Sequence, residues 1–195
     1  RYRQVSDWSS VALLDWGCGC GRIARHFLES DVRPGRVVGV DIDPVSIAWC
    51  QKNLLGAEFH TTGLQPPLAF PNDSFDFIHG NSVFTHLDEA NQDLWLAELG
   101  RLLKPKGIAV LTIHSKSALS YGSADSTFIA DWTDKGIFFP GHNTTIDEVI
   151  SDHTYYYNTF HTHQYVQSNW SIFLDILEIH EMVFGYQDVV ILRKP

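Results

Sequence analysis

Three glycines at alternate positions, Gly17, Gly19 and Gly21, separate a short apolar run ending in Asp15 from a stretch of helical periodicity, and this arrangement constrains the fold more than any other. Residues 11–14 are apolar, and past the glycines Ile23 pairs with Phe27 and Ala24 with Leu28 at helical spacing. The pattern predicts a strand, a tight loop and a helix. Glycine suits such a loop because a side chain would block an approaching ligand and because the turn can demand positive φ. The loop leads to a helix N-terminus, where free N–H groups and the helix dipole favour a carboxylate or a phosphate. Asp41 follows 20 residues after Gly21, at the end of the next apolar run, where an acid can accept both hydroxyls of a ribose. A nucleotide-like ligand carrying an anionic group is therefore expected.

Two kinds of ligand fit that outline. The dinucleotide fingerprint G-x-G-x-x-G/A needs a small sixth residue, and Gly17-Cys18-Gly19-Cys20-Gly21-Arg22 ends in arginine. A bulky cation where the helix should press on the sheet argues against an NAD-dependent oxidoreductase. Asp15 argues the same way, since its charge would repel a pyrophosphate but suits a ligand with an ammonium and a sulfonium. The stretch L-D-W-G-C-G-C-G at 14–21 resembles motif I of the class I S-adenosylmethionine (SAM)-dependent methyltransferases, written L-D-x-G-C-G-x-G. Phe75-Asp76-Phe77-Ile78 resembles that family's fourth strand, and Leu103-Lys104-Pro105-Lys106-Gly107 before an apolar run resembles its approach to the fifth.

The resemblance implies an α/β fold, with a doubly wound, mostly parallel seven-stranded sheet and SAM as cofactor. By that likeness Gly17, Cys18 and Gly19 hold the methionine part through the loop backbone, Asp15 faces its ammonium, and Asp41 takes the ribose hydroxyls. Ile42 packs on the adenine, and Asn81 and Ser82 line the methyl side. Arg22 has two readings, a partner for the methionine carboxylate or a surface cation on the first helical turn. Where the family commonly has an acid for the adenine amino group, this chain reads Gly63-Leu64-Gln65, so a backbone group near Leu64 or the Gln65 side chain is expected to substitute.

In chain order, residues 37–40 form a buried-type strand, and Asp43-Pro44 starts a helix carrying Ile47, Cys50 and Leu54 that stops at Gly56. Residues 57–60 form a third strand. Asp88 caps a helix whose expected apolar face is Leu94, Trp95, Leu99, Leu102 and Leu103, and residues 108–113 form a fifth strand. Residues 162–170 read as a helix, and 171–179 with 187–192 as a final antiparallel strand pair. Residues 114–169 are rich in aromatics, including Tyr155, Tyr156, Tyr157 and Phe160. They suit either a satellite of the core or a cap supplying flat apolar walls for a hydroxylated ligand. One domain over 1–195, with 114–169 as a substrate cap, is the expected organisation. Arg1 stands where Met would open a gene product, so the chain reads as part of a longer polypeptide.

Composition excludes several function classes. The net charge is −9, from 23 acids against 14 bases, without a basic segment, so no nucleic-acid partner is expected. No apolar run has the length of a membrane span and no signal-peptide pattern opens the chain, which makes the cytoplasm the expected location. Cys18, Cys20 and Cys50 lack C-x-x-C spacing, and His161-Thr162-His163 lacks matching ligands, so no metal is expected. Methyl transfer to a hydroxyl needs a proton acceptor, and histidine titrates near neutrality. His86 after the fourth strand, His114 at the end of the fifth and His161 in the aromatic segment are the candidates. The expected activity is SAM-dependent O-methylation of a small hydroxylated acceptor, a sugar, glycan or small metabolite. A SAM-binding scaffold module without catalysis is the alternative from another class.

Overall fold

The computed structural model describes residues 5–119, 126–150 and 152–195. Strand β1 (Ala12–Trp16) is buried along its whole length, the signature of a central parallel strand covered on both faces. Leu13 enters a core cluster with Val37, Ile47, Cys50 and Phe59. Ala12, Leu14 and Trp16 point the other way, into a larger cluster with Val38, Phe75, Leu96 and Leu99.

β2 (Arg36–Asp41), β3 (Glu58–Thr61), β4 (Phe75–Gly80) and β5 (Leu103–His114) lie parallel to β1 in the order β3-β2-β1-β4-β5. The insertion adds two short strands, β6 (Ile137–Phe138) and β7 (Phe160–His161), and β7 meets β5 at His114 and Phe160. β8 (Asp175–Phe184) and β9 (Gln187–Arg193) close the sheet as an antiparallel hairpin, with β9 against β5. The seven expected strands are thus present, within a nine-stranded sheet. From β1 the chain winds outward through β2 and β3 and then returns to β4 on β1's other side. That reversal opens a crevice at the carboxyl ends of β1 and β4, where open α/β sheets bind ligands.

Helices α1 (Ala24–Glu29) and α2 (Pro44–Asn53) cover one face, contributing Ala24, Ile47 and Cys50 to its core. Asp43 caps α2 through the N–H groups of Val45 and Ser46. On the opposite face α3 (Glu89–Leu102), capped by Asp88, buries Gln92, Trp95, Leu96, Leu99 and Leu102. Those positions share one side at 100° per residue, and Leu94 falls off it: expected inside, it is exposed, and Leu96 takes its place. The expected strand at 171–179 also starts later. Residues Trp170–Ile172 form a 3-10 turn that drives Trp170 and Leu174 into the core, and the strand then continues to Phe184.

The insertion holds α4 (Lys116–Leu119), α5 (Ser126–Lys135) and a long irregular run before α6 (His163–Asn169). Main-chain hydrogen bonds fasten it to the segment after β4: Tyr157 N donates to His86 O at 3.0 Å and Thr159 N to Thr85 O at 2.8 Å. Among the described residues, no helix is long and apolar enough to cross a membrane.

Candidate active site

The loop after β1 curls back on the sheet, with the N–H groups of Gly17 and Cys18 both donating to the carbonyl of Val40. Gly17, Gly19 and Gly21 all have left-handed backbone, φ +73°, +52° and +70°, which explains the alternate spacing. Their surroundings differ. A Cβ on Gly17 would come 2.4 Å from Val83 Cγ2 and one on Gly21 2.3 Å from Leu54 Cδ1, whereas nothing lies within 4 Å of one on Gly19. Gly17 and Gly21 serve packing, and Gly19 leaves a bare edge.

That edge borders two adjoining cavities of about 370 and 300 Å3 that share Gly17, Gly19, Arg22 and Asn81. Asp41 lines the larger one from the end of β2. Its Oδ2 accepts from Gly19 N at 2.7 Å and its Oδ1 from Asp43 N at 2.9 Å. Burial raises the Asp41 pKa above the usual carboxylate value, and those two N–H groups oppose the rise. Ile42, Asn81 and Ser82 line the same cavity.

Asp15 lines the smaller cavity but is only 2% exposed. Its Oδ2 accepts from Ala24 N at 3.1 Å, and its Oδ1 lies 3.5 Å from His79 Nδ1. The helix N-terminus expected to greet an anionic ligand group therefore spends its Ala24 N–H on Asp15. Cys18 is buried among apolar neighbours while its loop borders the cavity, and Arg22 is exposed at the rim of both cavities. Leu64 is not among the residues lining either cavity. It packs on the core and its carbonyl accepts from Trp95 Nε1, while Gln65 is bonded to Asn91. Thr62, two residues before Leu64, lines the cavity instead.

The three candidate histidines separate clearly. His86 lines the larger cavity, with its Nδ1 2.7 Å from the carbonyl oxygen of Tyr157 and its ring stacked 4.1 Å from that of Tyr156. A carbonyl can only accept, so Nδ1 carries the proton and Nε2 is left as an acceptor. Burial holds the His86 pKa below the usual histidine value. His114 stands outside that cavity, its ring centroid 6.1 Å from that of His86, and burial followed by the neighbouring His86 pushes its pKa down to about 4. His161 is fully buried, with Nε2 2.8 Å from the Gln92 amide nitrogen, and burial pushes its pKa to about 3. His161 borders another cavity, but its zero exposure makes it part of the core. Among the described residues, no three His, Cys, Asp or Glu side chains gather to hold a metal ion.

The insertion supplies the roof. Ile146, Val149, Tyr155 and Tyr156 complete the larger cavity, and the Tyr155 hydroxyl accepts from Trp95 Nε1 at 3.0 Å. The triple tyrosine is conspicuous in the sequence, but no local signal tells which rings face a cavity whose other walls come from residues 16–95. Residues 13–107 match the family described as "Methyltransferase domain". The chain carries that methyltransferase domain over just under half of its length.

SAM is the cofactor that this family implies. Among curated methyltransferases, the chain is 29% identical over 119 residues to the rRNA N(6)-adenosine-methyltransferase metl-5 of Caenorhabditis elegans, covering 56% of this chain and 54% of that protein. It is 28% identical over 145 residues to the ubiquinone biosynthesis O-methyltransferase of Bartonella bacilliformis, covering 68% of this chain and 53% of that one. The chain therefore spans about half the length of these relatives. A solved S-adenosylmethionine-dependent methyltransferase from Mesorhizobium loti has the same fold, with TM-score 0.65 at 15% identity, covering 97% of this chain and 93% of that one.

Proposed function

We propose that this methyltransferase transfers the SAM methyl group to a hydroxyl of a small acceptor, with His86 as the proton acceptor. The observation carrying this reading is the 2.7 Å contact of His86 Nδ1 with the Tyr157 carbonyl in a residue that lines the cavity: the carbonyl holds the proton on Nδ1, which leaves the lone pair on Nε2. Depression of its pKa by burial keeps the ring neutral at pH 7 and ready to accept.

The residues present fit the cofactor. The bare edge at Gly19 and the carboxylate of Asp41 meet in one cavity, and a second cavity continues from it past Arg22. In this reading Asp41 accepts the ribose hydroxyls and Ile42 packs on the adenine. The backbone of Gly17, Cys18 and Gly19 borders the methionine part, Arg22 meets its carboxylate, and Asp15 holds the loop and its helix in place. Asn81 and Ser82 wall the side where the acceptor enters. When bound, SAM supplies a methyl group already activated on a sulfonium. The chain's own tasks are to align the acceptor, exclude water beneath Tyr155 and Tyr156, and take the hydroxyl proton on His86 Nε2.

The segment 114–169 acts as the substrate cap of a single domain, and its tyrosines favour a flat or hydroxylated acceptor such as a sugar, glycan or small metabolite. The net charge of −9 disfavours an RNA acceptor of the kind named for the nematode relative, and the likeness to a ubiquinone biosynthesis O-methyltransferase agrees with hydroxyl chemistry. The cytoplasm, where SAM is made, is the proposed location. Labelled methyl transfer to a panel of phenols, sugars and hydroxylated metabolites tests the reading. His86→Ala should lower turnover by about 10²- to 10⁴-fold while cofactor affinity barely changes. A wild-type protein that binds SAM but methylates nitrogen in RNA, or a His86→Ala variant of normal turnover, would sink it.

A further inference from the structure

Ser82 is one of the few described non-glycine residues with left-handed backbone, at φ +59°. Three side chains converge on it. Its N–H donates to Thr112 Oγ1 at 2.7 Å, and Gln187 Nε2 donates to its Oγ at 2.8 Å with Gln187 Oε1 3.1 Å from the same oxygen. Asn81 Nδ2 lies 3.3 Å from that Oγ as well. Thr112 has no exposed surface and Gln187 is 6% exposed. Burying polar groups is unfavourable unless they are bonded, and here two strands direct such groups onto a single strained residue of the cavity wall.

The topology explains how a residue so late in the chain arrives there. The carboxyl ends of the parallel strands form the site, but β9 runs antiparallel, so its first residue, Gln187, stands opposite His114 at that same end. Ser82 lines the larger cavity, and its neighbour Asn81 lines both. We propose that Gln187 and Thr112 are positioning residues that lock Ser82 in its left-handed conformation, so that the Asn81–Ser82 wall is formed before the cofactor arrives. Gln187 acts through Ser82 and touches no reacting atom. This inference rests on the SAM reading of the cavity.

Titration calorimetry with S-adenosylhomocysteine on the whole chain tests it, using Gln187→Leu, Gln187→Glu, Ser82→Gly and the Ser82→Gly/Gln187→Leu double variant. Gln187→Leu should bind about tenfold more weakly than wild type, since a wall that must be ordered on binding lowers affinity. Gln187→Glu keeps an acceptor for the Ser82 hydroxyl and should recover part of that loss, a rescue that also serves if Gln187→Leu fails to fold. Glycine occupies the left-handed region freely, so in the Ser82→Gly background the Gln187→Leu change should cost less than about threefold. A merely structural Gln187 would lower the thermal midpoint equally in both backgrounds without this affinity pattern. Wild-type binding with unchanged Gln187→Leu affinity, or full additivity in the double variant, would overturn this inference alone. Absence of binding by the wild type would overturn the cofactor reading, and this inference with it.

Discussion

Gly19→Ala separates the ligand-facing role of the glycine loop from its folding role. Nothing lies within 4 Å of a Cβ at Gly19, so the substitution creates no clash in the folded chain. Its φ of +52° makes an L side chain strained, at a cost of about 1–2 kcal/mol. For a chain of this length each kcal/mol corresponds to a thermal midpoint roughly 2–4 °C lower. Gly19 lines both cavities, so the added methyl group should weaken SAM about tenfold, or ~1.4 kcal/mol. Gly21→Ala is the contrast, since its Cβ would meet Leu54 Cδ1 at 2.3 Å inside the core. Overpacking should then add about 1–3 kcal/mol to the backbone strain, and the midpoint should fall further. Scanning calorimetry reads stability and isothermal titration reads affinity on the same preparations. A Gly19→Ala protein that binds SAM within twofold of wild type would refute the assignment of the bare edge to the cofactor.

Two further outcomes follow from the buried histidines. His114 and His161 are held neutral, at about 4 and about 3, and His86 is also depressed. In the unfolded chain they protonate near pH 6.5, so there the unfolded state binds more protons than the folded one. Stability should be complete above that pH and fall on acidification by about 1.4 kcal/mol per pH unit for each of His114 and His161, down to about pH 4, with His86 acting in the same direction. Urea unfolding at pH 7.5, 6 and 5 measures this, and a flat profile would contradict the burial assigned to them. His161→Ala should lower stability by about 3 kcal/mol, through a cavity and the loss of one of the buried bonds of Gln92, with SAM affinity close to wild type. A large loss of turnover in a stably folded His161→Ala variant would return that residue to the chemistry.

What the sequence made legible was local. Asp43-Pro44, the alternate glycines and the apolar runs ending at Asp15 and Asp41 each write their structure within a few residues, and the sheet order follows from how such units wind. The roles of Asp15 and Leu64 were less legible, because which partner a side chain takes depends on packing. Asp15 is engaged by the Ala24 N–H and Leu64 by the core, while Thr62 turns to the cavity. Among the histidines, position at the strand ends favours His86 and His114 over His161, and the structure buries His161 in the core while His86 lines the cavity. Thr112 and Gln187 carried no signal of their own. Finding Gln187 required knowing that the last strand runs backwards, so that its beginning lies beside the ends of the others.

The central claim is that Gly19 and Asp41 together form the seat of an adenosyl sulfonium compound, and calorimetric titration of SAM into wild type and Asp41→Ala tests it most directly. One-to-one binding to wild type, weakened in Asp41→Ala by about 1.5–3 kcal/mol or roughly ten- to 150-fold, is the predicted result. A folded wild-type protein that gives no heat with SAM, or an Asp41→Ala variant of undiminished affinity, would contradict it.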